Sequence, residues 1–277
     1  MKELNTNIYF ASFADKRLHK SLSRIKTQAQ DMKIFKEIFA WNENHLEGRF
    51  KKKFSYFLQP FTFYLCAWKP QVILQSFKKM ENGDILLYAD SGCHLNKYGV
   101  KRLLEYCDLA KKNQLPILAT VFGDEMPEYM WTKADTFNYF NFTENKKITH
   151  TPQIQATTFV IVKTKETQHF LEEWLNVFKE RPDLADRGKF IQPNFDGFID
   201  HRSDQSFFSI IGKKLGIKLI SADEVQGSAN WETDMIDFPI WAIRDKKFSN
   251  PSTLFLLVNR ISKSIKRRIR RFTSLRC

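Results

Sequence analysis

Gly83-Asp84-Ile85-Leu86-Leu87-Tyr88-Ala89-Asp90-Ser91-Gly92-Cys93-His94-Leu95-Asn96 is the stretch on which the reading of this chain turns. Residues 85–89 run apolar with no polar interruption, the pattern of a parallel strand covered on both faces. A carboxylate, Asp90, then stands directly at the carboxyl edge of the strand. Ligands of open α/β sheets bind outside that edge. Ser91 and Gly92 let the backbone turn tightly and come close to a bound group. Taken alone, a strand-end Asp also reads as an ordinary turn residue.

Working outward, strand-like and helix-like segments alternate. Residues 7–13 read as a short buried strand, and Leu18, Leu22 and Ile25 recur at helical spacing after it. Residues 34–41 suit a second strand. The apolar segment 61–80 is interrupted at Trp68-Lys69-Pro70, where a helix boundary or kink is expected. Residues 97–113 look helical, 116–122 and 157–162 like buried strands, and Leu171, Trp174, Leu175 and Phe178 share one helical face. Residues 181–200, rich in Pro, Gly and Asp, read as a long loop of the kind that is usually functional or mobile. Ser203 suits the cap of a helix through Gly212, and 217–220 a last strand. This alternation predicts an α/β sheet sandwiched by helices, with no internal repeat.

Composition narrows the classes. The chain has 277 residues, 43% hydrophobic and 27% charged, which excludes a disordered or low-complexity protein. Net charge is +13, but residues 251–277 hold eight Lys/Arg and no acid, leaving 36 basic against 31 acidic side chains, +5, in the first 250. Four cysteines (Cys66, Cys93, Cys107, Cys277) show no CxxC pair, so a reducing compartment is expected rather than a disulfide framework. The N-terminus shows no signal-peptide pattern, and no run reaches the roughly 20 apolar residues of a spanning helix. A cytoplasmic protein is expected.

Four pieces then fall in order: Trp68-Lys69-Pro70 with the strand ending Asp90-Ser91-Gly92; Trp131-Thr132-Lys133-Ala134-Asp135; Ile154-Gln155-Ala156; and His201-Arg202-Ser203-Asp204-Gln205-Ser206. Together, from about residue 7 to 245, the chain resembles bacterial nucleotide-sugar glycosyltransferases of the GT-A type. In these a Trp-Lys-Pro helix precedes a strand ending in Asp-x-Gly or Asp-x-Asp. The resemblance implies a GT-A-like, Rossmann-type mixed sheet flanked by helices, a single domain over 1–248, followed by a C-terminal amphipathic basic helix in 249–277.

It also implies roles. Asp90 would be the strand-end acid that holds a divalent cation, Mn2+ or Mg2+, against the donor's phosphates. Gly92 replaces the usual second acid, which leaves metal use open, and no His lies beyond His201, so the late metal-binding His of some relatives is missing. His94 reads either as a ligand or as a hydrogen-bonded loop residue. Asp204, with Gln205, would face the anomeric centre, as general base on the acceptor if transfer inverts, or as stabiliser of the transition state if it retains; a helix-start acid favoured by the dipole is the plain alternative. Donor contacts fall to Ser12, Asp15 and Arg17 after the first strand, to Asp90, Ser91 and Gly92, and to Lys133, Asp135, Gln155 and Ala156. Asp15 equally suits a helix cap, Lys133 and Asp135 a capped surface helix, and Ala156 simple packing. Aromatics from Phe54 to Trp68 (Tyr56, Phe57, Phe61, Phe63 and Tyr64 between them) are mostly core, with a sugar-stacking platform as the other reading. The segment from Trp231 to Arg244 is placed to close over the donor.

In the tail, Leu254, Val258, Ile261, Ile265, Ile269 and Phe272 recur every three or four residues with Lys263, Lys266, Arg267, Arg270 and Arg271 between them. An apolar stripe beside a cationic face is the pattern of an interfacial helix. The expected partners are a nucleotide-sugar donor, UDP-linked, a lipid-linked glycan acceptor of lipopolysaccharide, lipooligosaccharide or capsule, and an anionic membrane surface. The expected place is the inner face of the plasma membrane, with no nucleic acid. A non-catalytic membrane scaffold of the same fold, and more distantly a nucleic-acid-binding protein, are the rival readings.

Overall fold

The computed structural model describes residues 6–54, 66–188, 190–227 and 230–246. Strand β1 (Ile8–Phe13) leads into helix α1 (His19–Met32), β2 (Phe35–Trp41) and the short α2 (Gly48–Lys53). Helix α3 (Trp68–Phe77) precedes β3 (Ile85–Ala89), the strand on which the sequence turns. Next come a two-residue β4 (His94–Leu95), α4 (Val100–Lys111) and β5 (Leu115–Val121). Three short helices, α5 (Glu128–Trp131), α6 (Ala134–Tyr139) and α7 (Lys146–Thr149), lead to β6 (Ile154–Val162) and α8 (Lys165–Glu180). Then come α9 (Asp204–Leu215), β7 (Ile217–Ser221), α10 (Trp231–Asp234) and β8 (Ile240–Trp241).

Six strands form one mixed sheet in the order β2-β1-β3-β6-β5-β7, and β4 pairs with β8 in a small second sheet. β1 runs parallel to β2 and β3, β5 runs parallel to β7, and β6 alone is reversed against its neighbours β3 and β5. Reversal of β6 brings its amino half, at Thr158, opposite Ala89 at the carboxyl end of β3. Ligand-facing edges of two strands of opposite sense thus meet beside Asp90.

Alternation along each strand sends side chains to two helical layers. Tyr9, Ala11, Leu86 and Tyr88 join a core with Phe170, Trp174 and Phe208 of α8 and α9, whereas Phe10, Ile85 and Leu87 pack with Leu22 and Ile25 of α1 and Leu103 of α4. All five β3 residues are buried, as an uninterrupted apolar run demands. This is the mixed α/β sheet between helices that the sequence predicts.

Pro70 sits in the first turn of α3, where no N–H is needed for the helical ladder, so the expected boundary falls at Trp68-Lys69-Pro70. Two boundaries differ from expectation. β6 starts at Ile154 rather than 157, which puts Gln155 and Ala156 inside the strand instead of before it. Ser203 holds the N-cap position of α9 but does not cap it: its φ is 47°, in the left-handed region, and its hydroxyl donates to Ala185 O at 2.9 Å. Tyr56, Phe57, Phe61, Phe63, Tyr64 and the whole basic tail lie outside the described residues. Of that aromatic group, Phe54 is core and Trp68 stacks on Phe13 with ring centroids 4.1 Å apart.

Candidate active site

A cleft of about 420 Å3 opens at the carboxyl edge of the sheet, within the range of small-molecule sites. Its walls come from separated stretches of chain: the end of β1 (Phe13, Asp15, Arg17), the start of α3 (Trp68, Lys69), the turn after β3 (Asp90, Ser91, Gly92), Thr157, Arg187, Asp204, and the segment after β8 (Ala242, Arg244, Lys246). The Phe13–Trp68 stack forms its aromatic side.

Lys69 is the centre of the arrangement. Its ammonium lies 3.1 Å from Asp90 Oδ1 and 3.0 Å from Asp204 Oδ2, and donates to Ala156 O at 3.0 Å. An ammonium has three N–H donors, and all three are used. Burial alone would drive Lys69 toward the neutral form, but Asp204 and Asp90 more than reverse this and hold it charged, its pKa above that of an ordinary lysine. Burial is also what raises the Asp204 carboxyl above its usual range; Lys69 opposes the shift and the charge on Asp90 adds to it. Cys66, its own thiol pKa raised by burial and by Asp204, hydrogen-bonds the Asp204 side chain. Asp90 is the open member of the pair, with 37% of its side chain exposed against 13% for Asp204. Its Oδ1 also accepts from the Tyr88 hydroxyl at 2.8 Å, and its backbone N–H donates to Thr157 O.

A divalent cation that bridges phosphates needs free oxygen ligands. Here Asp90 Oδ1 already serves Tyr88 and Lys69, the next acid position is Gly92, and a cation on the remaining oxygen would stand beside a buried ammonium. Among the described residues no three His, Cys, Asp or Glu side chains converge as ligands do. The residues present do not fit a resident divalent cation, and Asp90, the metal ligand expected from the sequence, stands here as the partner of an ammonium. His94 is hydrogen-bonded, to Gln28 at 3.0 Å and to Asp245 Oδ2 at 3.0 Å.

Of the other residues singled out in the sequence, Ser91 and Gly92 line the cleft. Asp15 and Arg17 also line it, though they are turned on each other: Asp15 accepts from Arg17 N and Nε, capping the short helical turn 16–18. Ser12 is sealed beneath the end of β1. Gln155 is buried in β6 and accepts from Thr120 Oγ1. Ala156 contributes its backbone, its carbonyl to Lys69 and its N–H to Gln205 Oε1 at 3.4 Å. Gln205, bonded also to Gln153 at 2.7 Å, thereby ties α9 to β6 and holds Asp204 in place rather than reaching the cleft.

Lys133 and Asp135 are not in the cleft. Lys133 donates to Asp183 O and Asp186 O, and Asp135 accepts from the N–H groups of Ile191 and Gln192. These buried charges, rather than capping a surface helix, hold the 181–200 loop, which brings Arg187 to the cleft wall. His201 works to the same end. It accepts from Lys133 N on Nδ1 and bonds Leu184 O through Nε2, and burial, then Lys133, depress its pKa to about 3. It remains neutral at physiological pH.

Residues 240–246 form a strap across the cleft mouth. β8 pairs with β4, Asn96 Nδ2 donates to Phe238 O, and the Asp245 N–H donates to Gly92 O at 2.9 Å. Arg24 clamps it from below, with Nη1 2.6 Å from Asp245 Oδ2 and Nη2 donating to Ser91 O and Cys93 O. Gly99 is needed for this passage, since a Cβ there would stand 2.4 Å from Phe238 C. Arg244 and Lys246 come to the cleft on this strap; Asp234 and Asp237 stay exposed and away from it.

Lys69 stands in the Trp68-Lys69-Pro70 motif without a role legible from the sequence, and no local pattern marks Arg187 or Lys246. No family model and no curated protein matches the chain. Solved structures similar to it include a glycosyltransferase involved in glycosylation of the major capsid of PBCV-1, with 12% identity over 86% of this chain and 97% of that one and a TM-score of 0.47. Mouse xyloside xylosyltransferase 1 gives 12%, 86%, 97% and 0.46, and the glycosyltransferase GlyE of Streptococcus pneumoniae 12%, 86%, 55% and 0.40. At this distance the functional argument rests on the side chains of the cleft.

Proposed function

We propose that this chain is a glycosyltransferase that moves a sugar from a nucleotide-sugar donor, UDP-linked by preference, onto a lipid-linked bacterial surface glycan. The observation that carries the reading is the pair of carboxylates, Asp90 and Asp204, held on one buried ammonium at the sheet's carboxyl edge. Such a pair gives two acids of unequal character, one open and one buried, on a single positioned frame. The nucleoside would lie along the Phe13–Trp68 wall, beside Asp15, with its diphosphate toward the strap. Asp204, whose proton affinity is raised by burial, takes the acceptor hydroxyl proton as the acceptor oxygen bonds to the anomeric carbon and the carbon–oxygen bond to the diphosphate breaks. Asp90 faces the sugar and steadies the positive charge that develops on its ring. Lys69 keeps the two carboxylates from repelling each other.

The composition of the tail supports this acceptor class and site of action. Eight basic side chains and an apolar stripe suit an anionic leaflet, each Lys or Arg near the surface contributing on the order of 1 kcal/mol. Lipopolysaccharide or capsule precursors present their glycans on that inner face. One experiment tests both parts: incubate the full chain with anionic vesicles carrying a lipid-linked glycan extract and a panel of nucleotide sugars, then float the vesicles. The reading predicts release of nucleoside diphosphate from one donor and protein in the floated fraction. No donor consumed refutes the activity; protein left in the pellet fraction refutes the anchor.

A further inference from the structure

Five cations line the cleft, and three are already spent. Arg17 is paired with Asp15, Lys69 with Asp90 and Asp204, and Arg187 with Asp200 Oδ2 at 2.6 Å. Arg244 and Lys246 differ: both line the cleft, both are exposed, and neither makes a hydrogen bond or ion pair with any described residue. Their backbone is nevertheless fixed, because Asp245 between them is held by Gly92 O, Arg24 and His94. Arg244 itself has a φ of 61°, an unfavourable conformation for a residue with a side chain, maintained by that clamp. Two unspent charges on a rigid strap face a cleft whose buried cluster, two carboxylates and one ammonium, carries a net negative charge.

The same strap runs close past Gly92. A Cβ at that position would meet Arg244 Cα at 3.5 Å and Lys246 Cγ at 3.8 Å, so the strap is in van der Waals reach of the place where a second acid would begin. Where a second acid would begin, the chain has instead a glycine with two cationic residues of the strap beside it. A hard divalent cation lacks its ligands at this point, whereas a polyphosphate gains two charge-assisted donors.

We propose that Arg244 and Lys246 bind the diphosphate of a nucleotide ligand directly, so that the cleft takes a nucleoside diphosphate without a divalent cation. This rests on the nucleotide-sugar reading for the nucleoside part, while the phosphate part stands on the strap alone. Asp245 is the positioning residue between the two donors. Lys69 neutralises the two carboxylates and makes no contact with phosphate, its three donors being occupied.

The test is calorimetric titration of wild type, Arg244→Ala, Lys246→Ala and the double variant. The probes are UDP, GDP, ADP, uridine and inorganic pyrophosphate in EDTA, with the nucleotides repeated in Mg2+ and in Mn2+. Both side chains are exposed, so the variants are expected to keep the wild-type unfolding midpoint. Expected is a nucleoside diphosphate that binds wild type equally, within about twofold, with and without metal, each single variant weakening it about tenfold and the double about a hundredfold. Uridine binding is unchanged throughout. Diphosphate binding that requires metal, or a double variant that binds as wild type does, overturns the proposal. If no nucleoside diphosphate binds but pyrophosphate does, and only with Arg244 and Lys246 present, the phosphate site stands and the nucleotide-sugar reading falls. If pyrophosphate and nucleotides all fail to bind in EDTA, the phosphate site falls as well.

Discussion

Asp204→Asn is expected to lower donor turnover about a thousandfold, within the span that general acid–base catalysis contributes, while leaving donor affinity within a few-fold of wild type. The amide fills the same volume and keeps an oxygen for Lys69, which also retains Asp90 and Ala156 O as partners, so the fold survives the change. What disappears is the proton acceptor. In wild type, activity needs Asp204 ionised, and burial raises its pKa above the ordinary carboxylate value. Activity is therefore lost as pH falls through that raised pKa, at a higher pH than a solvent-exposed aspartate would set. The residual activity of the asparagine variant should lack that acidic limb. Steady-state turnover against pH, measured on both proteins, checks both statements; an unchanged turnover number in Asp204→Asn removes Asp204 from the chemistry.

Lys69→Met should produce the largest loss of stability of any single substitution at the cleft. Methionine matches the length of the lysine stem but leaves Asp90 and Asp204 without the cation between them. Removing one partner of a buried ion pair costs about 3–5 kcal/mol, because the charges left behind remain desolvated. For a chain of this size that corresponds to a fall in Tm on the order of 10 °C. The pH dependence gives the mechanism away. Without the ammonium the carboxylates are freed of their charge penalty by protonation, whereas in wild type acid removes the ion pairs, so the gap between the two proteins narrows as pH falls below the carboxylate range. Lys69→Arg is no rescue, since a forked guanidinium cannot take the place of a compact ammonium among three close oxygens. Equal unfolding midpoints of Lys69→Met and wild type at neutral pH would show that the cluster does not depend on its cation.

The middle of the sheet was legible in the sequence because its central strands are buried on both faces: Ile85–Ala89 and Phe159–Val162 are apolar runs that admit few other readings. The start of β6 was not. Gln155 is a polar residue within a strand, satisfied there by Thr120, and a buried hydrogen bond of that kind leaves no mark on hydropathy. Asp90 and Asp204 stand out in the sequence by their places after a strand and at the start of a helix, and the fold sets both against Lys69. The contacts of Lys133 and Asp135 were not legible for the converse reason: a charge engaged by loop carbonyls or amides 50 or more residues away looks, in one dimension, like any other charge. Lys69 carried the arrangement unseen, because a lysine in the first turn of a helix is ordinary until the fold sets two carboxylates against it. Arg244 and Lys246 depend on a strap clamped by Arg24, 221 residues from Asp245 in sequence, and no local pattern reports so distant a contact.

Amide chemical-shift mapping on labelled full-length protein with a titrated nucleoside diphosphate tests the central claim most directly, because it asks where the ligand sits before asking what happens to it. The cleft at the carboxyl edge predicts saturable shifts concentrated at Ser91, Gly92, Thr157, Asp204, Arg244 and Lys246. Little movement is expected at the separate surface hollow beside α3 and α8 lined by Gln71, Lys163 and Lys179. Saturable shifts that cluster at that hollow, or a titration that leaves the residues around Asp90 unmoved, would contradict the account.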